Sequence, residues 1–235
     1  MRLLIFGTGV IGSLYASLFA EAGFDTTVYA RGARLETLKK KGLLYLKREK
    51  VTKANVSVLS ELKDDVLDAT LTPKIIQPTT FAEISGMRTD RVRRLSLIFK
   101  QSSIPYQIVK DMHIWQLCHL AMVVPIADAY YEADNPAKTG YENKIMHKTA
   151  KALKRNLQFV RKYCGKLSPW KMNIFLFVLL PILTFIMSFV YRSTFGEKFM
   201  YQHSINAPDE MRELHKKFYE YMQNVINITE AESML

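Results

Sequence analysis

Gly7-Thr8-Gly9-Val10-Ile11-Gly12 carries the spacing GxGxxG, which suits the binding of a pyrophosphate. The first glycine permits a tight turn, the second lets backbone approach a phosphate with no Cβ in the way, and the third lets a helix pack close to a strand. Unpaired N–H groups and the positive dipole end of the following helix then face the anion. Further on, Tyr29-Ala30-Arg31-Gly32-Ala33-Arg34 stands where a dinucleotide site selects its ribose. NAD sites place Asp or Glu there to bond the 2′-hydroxyl. Here there is no acid, and Arg31 and Arg34 flank the turn. A guanidinium fork suits the 2′-phosphate of NADP. Arg31 is the stronger candidate because it directly follows the strand. The expected cofactor is NADP(H), held by residues 7 to 12 with Arg31 and Arg34; no metal is expected.

These residues need a strand, a turn and a helix in immediate succession. Leu3 to Phe6 is an apolar strand that runs straight into the glycines. Ile11, Leu14, Tyr15, Leu18 and Phe19 fall at helical spacing up to about Ala22, and Gly23 closes the helix. Asp25 to Tyr29 reads as the second strand. A short helix over about 33–41 ends at Gly42, and residues 43–59 alternate enough for a hairpin. Pro73 to Gly86 contains a further strand ending at a glycine. From Thr89 onward the pattern is helical, over about 89–102, 111–133, 138–164, 170–193 and 207–226. The expected fold is an α/β Rossmann-type domain with a truncated parallel sheet over 1–86, followed by an all-helical domain over 87–235 that serves substrate binding or dimerisation.

The composition supports a folded core, with 49% hydrophobic residues among 235. Cys118 and Cys164 are too few for a disulfide framework, and a reducing, cytoplasmic setting is expected. The glycine motif interrupts the N-terminal apolar residues, so they do not read as a signal peptide. The net charge of +11 fits anionic ligands, but the basic residues are scattered along helices as solvated faces. No aromatic-interleaved basic motif is present, so nucleic acid is not an expected partner.

The order of segments resembles the ketopantoate reductase (2-dehydropantoate 2-reductase) family. The resemblance rests on GTGVIG, a basic residue after the second strand, TTFAEISG, RTDRVRRLSLIFKQSSIPYQIVKDMHIWQLCHLAMVVP and HSINAPDEMREL, and it spans nearly the whole chain. It implies an oxidoreductase of pantothenate biosynthesis: a Rossmann domain, a helical domain, and NADPH-dependent reduction of a 2-keto acid such as 2-dehydropantoate. The chain departs from the pattern twice. In the family an acidic stretch like Asp64 to Asp68 leads into further strands that carry the nicotinamide half-site. Here Ala69-Thr70-Leu71-Thr72-Pro73 follows and the chain joins TTFAEISG at once, as though an internal segment were deleted. A short sheet leaves an edge to cover, which makes homo-oligomerisation an expectation. The second departure is the general acid. The family places a lysine on the helix that here contains Trp115, and Gln116 occupies the matching position. Gln116 donates a hydrogen bond but no proton, and His119, one turn along from Trp115, is the alternative donor; its competing role is that of a packed histidine. The resemblance also assigns Glu210 as the catalytic carboxylate and His203, Ser204 and Asn206 as substrate-binding residues. Helix capping alone would explain the types from Ser204 to Asp209.

Met172 to Tyr191 is an uncharged run of twenty residues, long enough for a membrane span, with Lys166 and Lys171 before it and Arg192 and Lys198 after. The resemblance places an apolar helix of the helical domain here, so a buried central helix is expected and a membrane partner is not. Three functions remain in view: a 2-keto acid reductase, a family member that binds NADP(H) without efficient turnover, and a membrane-associated protein anchored by 172–191.

Overall fold

The computed structural model describes residues 2–47, 50–59 and 77–232. Asp64 to Asp68, Ala69 to Thr72, and Pro73 to Ile76 lie outside the described residues. The chain forms two compact units, Met1–Lys110 and Asp111–Leu235. The sequence reading closed the first domain at Gly86. The first unit continues through one more helix and strand because Gly86 is fastened to its end: a Cβ there would meet the Lys110 carbonyl oxygen at 2.6 Å, and φ is +70°.

In the first unit β1 (Arg2–Phe6) leads into α1 (Val10–Glu21) and β2 (Asp25–Tyr29), then α2 (Gly32–Lys41). A hairpin follows, β3 (Leu43–Lys47) against β4 (Lys50–Ala54), then β5 (Ser57–Leu59). β1 and β2 pair in parallel with Leu3 opposite Thr26, and β2 pairs in parallel with β5 with Val28 opposite Val58. The described sheet is thus three-stranded in the order β1-β2-β5, one half of a Rossmann sheet. Residues 51–59, read as one hairpin arm, divide between β4 and β5. The strand expected before Gly86 is β6 (Thr79–Phe81), which pairs in parallel with β7 (Tyr106–Ile108) as a separate two-stranded sheet. Between them lies α3 (Asp90–Gln101). β7 was not foreseen in a stretch read as helical. Pro105 immediately precedes it and blocks a continuing helix, and three residues carry little periodicity.

Two small cores hold this unit. Ala16, Val28, Leu38 and Leu43 pack on one side of the sheet, and Phe19, Ile98, Phe99 and Ile104 form the other. α1 buries Ser13, Ala16, Ser17 and Phe19, whereas Ile11 is exposed. The expected apolar face is rotated because small side chains let the helix lie close to the sheet.

The second unit is helical. It runs from α4 (Met112–Glu132) to α5 (Asn143–Cys164), α6 (Ile174–Phe177), α7 (Leu180–Arg192), α8 (Gln202–Asn206) and α9 (Pro208–Glu232). Leu117, Cys118, Ala121 and Val124 of α4 share a core with Met146, Leu153 and Leu157 of α5 and Phe218 of α9. Gly165 closes α5 in the left-handed conformation. Both cysteines are free thiols.

The expected single buried helix over 170–193 is broken. A 3-10 turn at Trp170–Asn173 and α6 are set off from α7 by a bend of 117°. Val178 and Leu179 are extended at the break, and Pro181 then sits in the first turn of α7, where no N–H is needed. No single described helix is long and apolar enough to cross a membrane. Nor is α7 buried on all sides: Leu183, Met187 and Tyr191 enter the core, while Ile182, Phe185, Ile186 and Phe189 are exposed.

Candidate dinucleotide site and the helical-unit residues

The glycine loop divides its tasks as chemistry requires. Gly7 has φ +84°, which a side-chain-bearing residue adopts only with strain. A Cβ on Gly12 would lie 1.9 Å from the Gly7 carbonyl oxygen, so that position excludes every other residue. A Cβ on Gly9 would meet nothing within 4 Å, and its backbone is extended with φ −69°. Gly9 is thus not required by the protein's own packing; the space beside it is open. It is also the N-cap of α1 and supplies no side-chain cap, so the first N–H groups of the helix lack the usual acceptor. A pyrophosphate fits this cradle.

The loop is held from below. Thr8 is buried, and its carbonyl accepts from Ser13 Oγ at 3.0 Å and from Arg34 Nε at 3.1 Å. Arg34 also donates to Ser13 Oγ at 3.1 Å. This gives Arg34 a structural task, the bracing of the loop. Arg31 is exposed at the N-cap of α2, directly after the buried Ala30; its carbonyl accepts from Leu35 N, and its guanidinium makes no hydrogen bond or ion pair among the described residues. Val10 and Ile11 are exposed at the same end of the sheet.

The segment TTFAEISG is anchored separately. Glu83 is buried, accepts the Arg91 fork on both oxygens and accepts from Thr89, the N-cap of α3. The Arg91 bonds hold its carboxyl below the usual carboxylate range. Glu83 therefore joins a strand end to a helix start.

In the helical unit the nominated residues are dispersed. Gln116 is exposed on α4, and His119 is half-buried with its ring stacked on Trp115 at 5.3 Å. Burial lowers the His119 pKa and favours the neutral imidazole. His203 and Asn206 are exposed on α8, while Ser204 is buried and its backbone carbonyl accepts from Tyr131 at 2.6 Å. Glu210 is exposed in the first turn of α9. α4 and α9 pack antiparallel, since His113 bonds Tyr221 and Asp128 bonds His215. Tyr131, near the C-terminal end of α4, bonds the Ser204 carbonyl just before α9, which puts the start of α9 at that end of α4, whereas Gln116 and His119 stand in its N-terminal half. The fold does not bring Gln116, His119 and Glu210 together within this unit.

Between α4, α5 and α9 lies a cavity of about 510 Å³ that the sequence reading missed. Asp128, Glu132, Lys148, Arg155, His215 and Tyr219 line it. His215 Nδ1 meets both Asp128 oxygens at 2.9 Å, and Lys148 bridges Glu132. Burial pushes the Asp128 carboxyl up, opposed by His215. Two acids four residues apart on an otherwise apolar helix were the available signal; their partners come from 16 and 87 residues away. Among the described residues no cluster of three or more metal-ligating side chains occurs.

Comparison with known proteins places this architecture. Residues 3–73 match the family model for ketopantoate reductase PanE/ApbA. A 2-dehydropantoate 2-reductase from Methylococcus capsulatus has the same fold, with a TM-score of 0.53 over 97% of this chain and 98% of that one at 14% identity. Its counterpart from Porphyromonas gingivalis W83 gives 0.52 over 94% and 99%, also at 14% identity. D-mandelate dehydrogenase in ternary complex with NADH and anilino(oxo)acetate gives 0.54 over the whole of both chains at 11% identity. No curated protein sequence matches. The resemblance to the ketopantoate reductase family is borne out by the matched N-terminal segment and by these shared folds.

Proposed function

We propose that this chain holds a nicotinamide dinucleotide on the Gly7–Gly12 loop and serves as a reductase of a 2-keto acid, with NADP(H) preferred. The observation that carries the reading is the division of labour in the loop: Gly7 and Gly12 are demanded by the backbone, whereas Gly9 leaves open space at an uncapped helix start. Arg31, exposed after β2 and with its guanidinium unpartnered among the described residues, would take the 2′-phosphate. When bound, a reduced nicotinamide supplies a hydride to a ketone carbon. The similar D-mandelate dehydrogenase fold, solved with NADH, supports a dinucleotide of this class. The family match and the resemblance support 2-dehydropantoate as a substrate and Glu210, His203, Ser204 and Asn206 as residues to test.

A second reading, binding without efficient turnover, is favoured by Gln116 at the lysine position and by the neutral state that burial imposes on His119. The experiment is a titration with NADPH, NADH and 2′-phospho-ADP-ribose, followed by nicotinamide absorbance with a panel of 2-keto acids including ketopantoate. Binding with turnover supports the reductase, and tight binding without turnover the second reading. Failure of every dinucleotide and of 2′-phospho-ADP-ribose to bind would sink both.

A further inference from the structure

The bent pair α6–α7 presents a surface that the reductase reading leaves unused. Along α7 the exposed residues are Ile182, Phe185, Ile186 and Phe189, spaced as one stripe, and Phe185 and Phe189 are 67% and 64% exposed. Across the bend, Phe177 at the end of α6 and Trp170 in the turn before it are also exposed, at 82% and 72%. The opposite side of α7, Leu183, Met187 and Tyr191, is already spent on the core. Several large apolar side chains exposed along one helix face mark an interaction site.

Charge identifies the occupant. From Asn143 to Lys198 the chain carries eleven basic residues and one acidic residue, Glu197, so nearly all of its net charge of +11 is concentrated here. Lys166 and Lys171 precede the apolar run and Arg192 and Lys198 follow it. A second copy docked by two-fold symmetry would set these basic rims against each other, which is repulsive. An anionic bilayer neutralises them while hydrocarbon covers the phenylalanines, and the exposed Trp170 is the kind of side chain that favours a headgroup boundary. The bend of 117° rules out one straight crossing helix and suits insertion into a single leaflet. We infer that the helical unit docks on anionic lipid surfaces, burying the α6–α7 face in one leaflet while Lys166, Lys171, Arg192 and Lys198 contact headgroups.

The test is co-sedimentation of the full chain with phosphatidylcholine vesicles, with and without phosphatidylglycerol, alongside Trp170 emission. The expected result is salt-sensitive binding to the anionic vesicles and a blue shift that a Trp170→Phe variant lacks. Phe185→Ser or Phe189→Ser should weaken partitioning by about tenfold or more each. Lys171→Gln should weaken it by about fivefold. Circular dichroism must show native helicity in each variant, and Lys171→Gln, which alters no apolar contact, keeps the test decisive if a serine variant unfolds. Absence of binding to anionic vesicles by the folded chain overturns the inference. So does equal binding to both vesicle types. A dimer that Phe189→Ser dissociates, with no vesicle binding by the parent chain, would assign the face to a second copy.

Discussion

Helices α1 and α7 are both largely apolar, yet α1 buries mainly small residues beside Phe19, and α7 mainly large ones beside Ser188. α1 turns Ser13, Ala16 and Ser17 inward and leaves Val10 and Ile11 outside. α7 turns Leu183, Met187 and Tyr191 inward and leaves Phe185 and Phe189 outside. The difference lies in what each helix approaches. α1 must come close to a strand and its turn, where even the Cβ of an alanine would collide at Gly12. α7 packs on other helices, whose larger spacing wants large side chains. Burial follows the distance to the partner, and hydropathy alone predicts neither face.

The strongest way to break this contrast is Gly12→Ala. One methyl group should collapse the β1–α1 turn and abolish dinucleotide binding, as read by NADPH titration; retention of binding would show that the turn relaxes freely. Next in size is Leu183→Ala on the inward face of α7, expected to cost about 2–5 kcal/mol in denaturant unfolding. Arg31→Ala should follow, weakening NADPH by about tenfold or more while leaving NADH unchanged, as expected for a lost charge-assisted pair. An equal loss for both nucleotides would remove Arg31 from the 2′-phosphate.

A smaller effect is expected from pH. His119 has its pKa lowered by burial, so the unfolded chain binds the proton more readily. Stability should fall as pH drops below the ordinary histidine value of about 6.5, and His119→Gln should flatten that limb. Any turnover that uses this imidazole as its proton donor should rise over the same range as pH falls. The smallest effect is Phe189→Ser on the outward face, within about 0.5 kcal/mol in stability. A cost like that of Leu183→Ala would mean that this face is covered in solution.

The features legible in the sequence were those whose cause is local. The glycine turn, β2, Gly23 and Gly42 are each decided by a few neighbouring residues, and all stand where the spacing placed them. The capping pattern from Ser204 to Asp209 likewise marked the start of α9. What escaped was decided at a distance. β7 exists because β6 pairs with it, and its own three residues announce little. His215 finds Asp128 across 87 residues of sequence. The break before Pro181 also escaped: the proline begins α7 instead of lying inside one long helix over 170–193. The site residues nominated by resemblance on α4, α8 and α9 carried no spacing signal of their own.

The glycine loop also holds two glycines with different reasons to be glycine. At position 12 the protein's own backbone forbids a side chain, so a glycine there testifies only that the chain still needs to fold. At position 9 nothing in the protein objects to a methyl group. A single substitution there would leave the fold intact. Under the proposed function, position 9 is where a methyl group would meet the nucleotide and nothing else, so Gly9→Ala is the change that separates folding from nucleotide binding.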